Sequence, residues 1–185
     1  MKKPSDQFDL MKEEKSFYID DYLWGQQKKC SKLLSRLNAM PYGDKRRNKI
    51  FQRLFAAYGT GNVIKEGFHC NYGFNITIGS DCFFNFGITI LDSYEVEIGN
   101  RVFIAPQVVI APVTHPLKAS ERKNLMGKKI VIEDDVWIGA GAVIFPGVTL
   151  HKGAIIGAGS VVRKSVSENT VVAGVPAKII KRIDN

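Results

Sequence analysis

The sequence is poor in cysteine and histidine and has no long apolar run. Its three cysteines, Cys30, Cys70 and Cys82, are an odd set with no paired spacing. That argues against a disulfide scaffold and suits a reducing cytoplasm. After Lys2 and Lys3 come Pro4 and a polar run, so nothing near Met1 reads as a signal peptide. No apolar stretch approaches the roughly 20 residues of a membrane-crossing helix, and no membrane partner is expected. The histidines, His69, His115 and His151, are far apart in sequence. They offer no close-spaced pair for zinc, and no metal is expected.

A single-signed charged stripe is lacking too. The formal net charge is +8, but it is unevenly spread. Residues 1–59 carry 13 basic and 7 acidic side chains, and segment 116–129 carries 5 basic and 1 acidic. The rest is slightly acidic. A nucleic-acid reader would carry its basic stripe along one continuous face. Excess charge in a head, one loop and a tail fits a small anionic ligand, such as a nucleotide-bearing co-substrate, or plain solvated lysine.

What is present is a period. Ile132, Ile138, Ile144, Leu150, Ile156 and Val162 recur every six residues. Four residues after each stands a second small or apolar residue: Val136, Ala142, Val148, Ala154, Ser160 and Val166. Neither a helical period nor strand alternation gives this pattern. A fixed six-residue repeat predicts a parallel β-helix, each repeat being one short strand and one corner. Three repeats close a triangular coil, and coils stack about 4.8 Å apart.

Taken in order, residues 6–15 read as a short helix. A longer helix through about Met40 has Asp20 or Asp21 as its cap, and a third has Asp44 as a cap and Gly59 just past its end. Residues 1–59 are thus expected to form a helical cap that plugs one end of the prism. From 60 the period begins, slips by two residues near Tyr94 and continues through Ile110. It breaks after His115 and resumes at Ile132. Residues 60–170 are therefore expected to be a β-helix of roughly five coils, with an external loop at about 116–129. Residues 171–185 are expected to form a basic tail.

Several motifs sharpen this reading. They are Asn85 within Phe83-Phe84-Asn85-Phe86, Leu91-Asp92, Thr114-His115-Pro116, Val136-Trp137-Ile138-Gly139, Phe145-Pro146-Gly147-Val148-Thr149, Gly157-Ala158-Gly159-Ser160, and Ala173-Gly174-Val175-Pro176-Ala177-Lys178. In this order and over nearly the whole chain, they resemble the hexapeptide-repeat acyltransferases, within them the maltose/galactoside O-acetyltransferase group. The resemblance implies an all-β solenoid, a left-handed parallel β-helix with a small N-terminal helical cap. It also implies a homotrimer with active sites between neighbouring prisms. The implied reaction is acetyl transfer from acetyl-CoA to a hydroxyl of a sugar.

The same resemblance assigns roles. His115 matches the catalytic histidine and would act as general base, the task for which imidazole is suited. Asp20, Asn71, Phe83, Asn85 and Asp92 match acceptor-side positions, Asn85 lying near the donor as well. Ser93 stands where galactoside-type members carry a second acid. Ala140, Ala158, Arg163, Lys164, Lys178 and Lys181 match positions along the path of coenzyme A. Lysine at the last two, where arginine is common, would bind phosphate as a point charge. His69 reads as an ordinary edge or surface residue and His151 as solvent-facing. The acceptor stays open among maltose, glucose, a galactoside, a polysaccharide unit and an antibiotic-like alcohol. A zinc enzyme of the γ-carbonic-anhydrase kind and a non-catalytic scaffold trimer are the readings of other classes.

Overall fold

The computed structural model describes residues 4–184; residues 1–3 and Asn185, the outermost parts of the expected cap and tail, lie outside the described residues. From Ala57 onward the chain winds as a parallel β-solenoid of triangular section. The first face stacks Ala57–Tyr58, Ile76–Ile78, Val96–Ile98, Ile130–Ile132 and Thr149–Leu150. The second stacks Val63–Ile64, Phe83–Phe84, Phe103–Ile104, Trp137–Ile138, Ile155–Ile156 and Thr170–Ala173. The third stacks His69–Cys70, Thr89–Ile90, Val109–Ile110, Val143–Ile144 and Val161–Val162. That makes five coils and a partial sixth, which Val166 opens by bridging to Leu150.

The six-residue period produces this because each repeat sends one aliphatic inward. Ile78, Ile98, Ile132 and Leu150 lie in register on one face, and Ile110, Ile144 and Val162 on another. All are essentially buried. At the corners the rungs pack closely. A Cβ on Gly139 would sit 2.6 Å from the Ala158 nitrogen, a distance no side chain tolerates.

The coils are not all equal. Ile78 aligns with Ile98, whereas Ile132 aligns with Leu150, so the earlier coil is two residues longer. The surplus sits at the edge where the third face turns into the first, around Asp92–Tyr94. At that same edge the chain leaves the prism after Ile110. The expected loop is more ordered than its aperiodic sequence suggests: Val113–Thr114 pairs antiparallel with Asn124–Gly127, which pairs in turn with Phe17–Tyr18 of the N-terminal arm. An excursion cannot leave its main-chain groups unpaired, and the arm supplies the partners.

The head divides in two. Helix α1 is Asp6–Lys12, α2 is Asp21–Asn38 and α3 is Arg46–Leu54. Leu34 and Leu37 of α2 and Phe51 and Leu54 of α3 join Ile64 and Phe68 in the main core, closing the end of the prism. Helix α1 and the arm instead wrap the long-coil edge, where Met11 and Phe17 pack with Tyr72, Tyr94 and Leu125. Two sequence expectations need correction. Helix α3 ends at Leu54 rather than near Gly59, because Ala57–Tyr58 already pairs with Thr77–Ile78 as the first rung. Its N-cap position is Lys45, with the Asp44 carboxylate accepting from the Arg46 N–H at 2.9 Å.

Candidate active site

The expected site residues fall into two groups on two different edges. On the edge between the third and first faces stand Asn71, Asp92 and the excursion with His115. Asp20 belongs here too, two residues beyond the arm strand that pairs with the excursion. Its carboxylate caps α2, accepting from the Leu23 N–H at 2.9 Å. Farther along the edge follow Arg163 and Lys164, with the Arg163 guanidinium 5.8 Å from the Phe145 ring centroid.

On the edge between the second and third faces stand Asn85, after the Phe83–Phe84 rung, and Ala140 and Ala158, after the adjacent Trp137–Ile138 and Ile155–Ile156 rungs; the Phe103–Ile104 rung lies between Asn85 and Ala140. Ala140 and Ala158 are exposed, and the Ala140 carbonyl accepts from Gly159 N–H at 2.8 Å. Among the described residues, no acceptor meets the N–H of either alanine. The Asn85 side chain accepts from the Phe86 N–H at 2.9 Å. Phe83 lies just before this edge on the second face, its ring 6.3 Å from that of Phe103. Lys178 and Lys181 sit on Lys178–Arg182, a strand antiparallel to Thr170–Ala173 at the far end of that face. Arg163, Lys164, Lys178 and Lys181 are all exposed, and among the described residues none is in an ion pair.

His115 is held by the excursion's own backbone. Its Nδ1 lies 2.7 Å from the Arg122 carbonyl and 3.1 Å from the Asn124 carbonyl. A carbonyl can only accept, so Nδ1 carries the hydrogen and Nε2 is left with its lone pair free. The other histidines are placed differently. His69 is an exposed residue of the first rung, paired with Thr89. His151 is not simply solvent-facing: its Nδ1 contacts the Glu133 carboxylate at 3.0 Å. The three histidines therefore do not share a site, and among the described residues no cluster of His, Cys, Asp or Glu could hold a metal.

Asp92 departs from the expected acceptor contact. It is fully buried, and its carboxylate accepts from the N–H groups of Asn71, Tyr72 and Gly73 at 2.8, 2.9 and 2.7 Å. Burial pushes its pKa up to about 6, while the backbone N–H donors pull the other way. The two extra residues per coil create this inward pocket. Asp92 is thus a positioning group for Asn71, whose amide Nδ2 reaches Ser93 Oγ at 3.4 Å. Sequence reasoning missed the arm strand Phe17–Tyr18, which braces the His115 excursion. Its only signal is the short aromatic run Phe17-Tyr18-Ile19 in a polar stretch.

The chain is similar to several known proteins. The family described as bacterial transferase hexapeptide (six repeats) matches residues 129–164. A galactoside O-acetyltransferase of Lactococcus lactis is 33% identical over 177 residues, covering 94% of this chain and 86% of its own. The crystal structure of a maltose O-acetyltransferase from Clostridium difficile superposes with a TM-score of 0.92 at 35% identity, covering 97% of this chain and 98% of that one. A galactoside acetyltransferase in complex with coenzyme A gives 0.91 at 31% identity, covering 99% and 92%. Among the described residues, no helix is long and apolar enough to cross a membrane.

Proposed function

This chain belongs to the hexapeptide-repeat O-acetyltransferases, enzymes of the left-handed parallel β-helix fold, and we propose that it moves the acetyl group of acetyl-CoA directly to a hydroxyl of a sugar with His115 as general base. The observation that carries the reading is the hydrogen bond from His115 Nδ1 to the Arg122 carbonyl at 2.7 Å. It selects the tautomer in which Nε2 can accept a proton. A sugar hydroxyl is a weak nucleophile, so it needs that proton removed as its oxygen attacks the thioester carbon. When the tetrahedral intermediate collapses, the C–S bond breaks and the imidazolium returns the proton to the departing thiolate. The free N–H groups at Ala140 and Ala158 suit hydrogen bonds to the donor, and their small side chains leave room for it. Lys164, Lys178 and Lys181 offer point charges to its phosphates, and Arg163 a guanidinium fork. The fit to coenzyme A therefore rests on the small residues of the Ala140–Ala158 edge with the exposed, unpaired Lys178 and Lys181 at the end of the second face, while Arg163 and Lys164 stand on the His115 edge.

The places of these residues support a homotrimeric assembly. His115 and Ala140 lie on different edges of one prism and cannot face the same thioester. A homotrimer, in which the donor edge of one prism meets the His115 edge of its neighbour, brings them together. Supporting this, Phe103 and Trp137 pair on the second face, each residue 53% exposed, flanked by Phe83 and Val63. Such an apolar column suits burial against a second copy. Measuring acetyl-CoA turnover against a panel of maltose, glucose, galactosides, aminosugars and non-sugar alcohols tests the proposal. Acetyl ester formation on a sugar is expected; turnover confined to a non-sugar alcohol, or none at all, would overturn the acceptor assignment.

A further inference from the structure

A cleft of about 400 Å³ opens between α2, the end of α3 and the long-coil edge. It lies on a different face of α2 from Gln27, Ser31 and Asn38, which border His69 and Asn71. Four cations ring it: Lys29, Lys32 and Arg36 from α2, and Arg53 from the last turn of α3. No acidic residue lines it. Among the described residues, none of the four is in an ion pair. Lys29 and Lys32, then Lys32 and Arg36, are spaced three and four apart, where like charges destabilise a helix.

The floor is of the opposite character. Leu33 lines one wall, and the rings of Tyr72 and Phe74 lie 5.2 Å apart at the base. Tyr72 is buried, and its hydroxyl has no hydrogen-bond partner, although Gln27 is close by. Burial pushes that phenol up to about 12, so it keeps its hydrogen as a donor.

We propose that this cleft is a second binding site, distinct from the acetyl-transfer site, for a small aromatic phosphate. Two arginines from separate helices line the same cleft, and a guanidinium fork matches the paired oxygens of a phosphate, while the lysines add charge without demanding geometry. The aromatic base takes a flat ring, which prefers offset or tilted packing against other rings. The volume falls within the range of small-molecule pockets. Nothing in this assignment rests on His115 or on the donor groove.

Titration calorimetry of the full chain, saturated with coenzyme A to occupy the donor groove, tests it with 1-naphthyl phosphate as the probe. Saturable binding of one probe per chain is expected. Arg36→Ala combined with Arg53→Ala should weaken it at least tenfold, and 1-naphthol and inorganic phosphate should each bind at least tenfold more weakly. Both substituted residues are exposed and outside the acetyl-transfer site, so acetyl-CoA turnover should be unchanged and reports folding. No saturable binding, a smaller loss in the double variant, or displacement of the probe by coenzyme A would overturn the proposal. Equal affinity for inorganic phosphate would overturn it as well.

Discussion

The imidazole of His115 hangs from the carbonyl of Arg122 by a 2.7 Å hydrogen bond made within its own excursion. The two are seven positions apart, and the backbone that holds the ring is braced from outside by the Phe17–Tyr18 strand. The strand that holds the imidazole is thus itself paired to the N-terminal arm. Replacing His115 with Ala should lower kcat by about 10²–10⁴, the usual contribution of general-base assistance, with little change in KM for acetyl-CoA. His69→Ala and His151→Ala should stay active. Steady-state kinetics on the three variants decides it, and near-normal kcat in His115→Ala removes that residue from the mechanism.

The donor cations make a separable prediction. Neutralising Lys178 and Lys181 together should raise KM for acetyl-CoA roughly threefold to tenfold, because exposed ion contacts are individually weak. A truncated pantetheine donor, which lacks the nucleotide phosphates, should be affected much less. An equal loss with both donors would mean that the strand Lys178–Arg182 acts through folding or assembly instead.

Arg47 shows what the six-residue pattern cannot reveal. It lies in a basic run, Lys45-Arg46-Arg47, that reads as solvated surface, yet it is 1% exposed. Its guanidinium donates to the carbonyls of Leu37 and Met40, both at 2.7 Å, and of Ile64 and Lys65 at 2.9 and 3.1 Å. It therefore ties the end of α2 to the first coil. Arg47→Leu would remove all four bonds, leaving the Leu37 carbonyl only its bond from the Met40 N–H at 3.2 Å, and should destabilise by about 2–4 kcal/mol. Arg46→Leu removes one exposed pair with Asp44 and should change little. Thermal unfolding of the two variants makes the comparison, and similar melting temperatures would contradict the clamp.

The repeat was legible because it is local: Ile132 through Val162 state the period, and each rung needs only its own six residues to turn a corner. His115 was legible through its Thr114-His115-Pro116 neighbourhood. The burial of Asp92 and Arg47 was not, since it depends on which rungs lie opposite. Two surplus residues per long coil, invisible as anything but a slip near Tyr94, build the pocket that takes the Asp92 carboxylate. The split of the site across two edges was also hidden. Residue numbers say that Asn85 and His115 lie 30 apart, not that a whole face of the prism stands between them.

Asp92 carries the pH dependence. Its folded pKa, about 6, lies above the ordinary value of 3.8, so the folded state holds this proton more tightly than the unfolded chain. Stability from this group is then fully present below pH 3.8 and is lost as pH rises through about 6. The whole change amounts to about 3 kcal/mol. Asp92→Asn cannot titrate, and its amide turns a donor toward one of the three N–H groups. The variant should be less stable than the parent, with the gap narrowing from pH 4 to pH 7. Denaturant unfolding across that range checks this; a gap that stays flat or widens would contradict the buried carboxylate.

The division of the site between edges can be tested by mixing inactive chains. His115→Ala disables the base edge. Ala140→Phe fills the donor edge with a bulky exposed ring and should leave the prism intact, since Ala140 points away from the core. Each variant alone should be nearly inactive. In a trimer whose sites pair the donor edge of one chain with the base edge of the next, co-refolding the two at equal amounts creates some intact sites. Those sites combine His115 of the Ala140→Phe chain with Ala140 of the His115→Ala chain. Random assortment makes such pairs about a quarter of all interfaces in a closed ring of like contacts. About a quarter of the parent activity should therefore return on co-refolding. A double variant carrying both changes, mixed with either single variant, should restore nothing. If the equal mixture also stays inactive while forming trimers of normal size, the base and the donor groove belong to one chain, and the two-prism site is wrong.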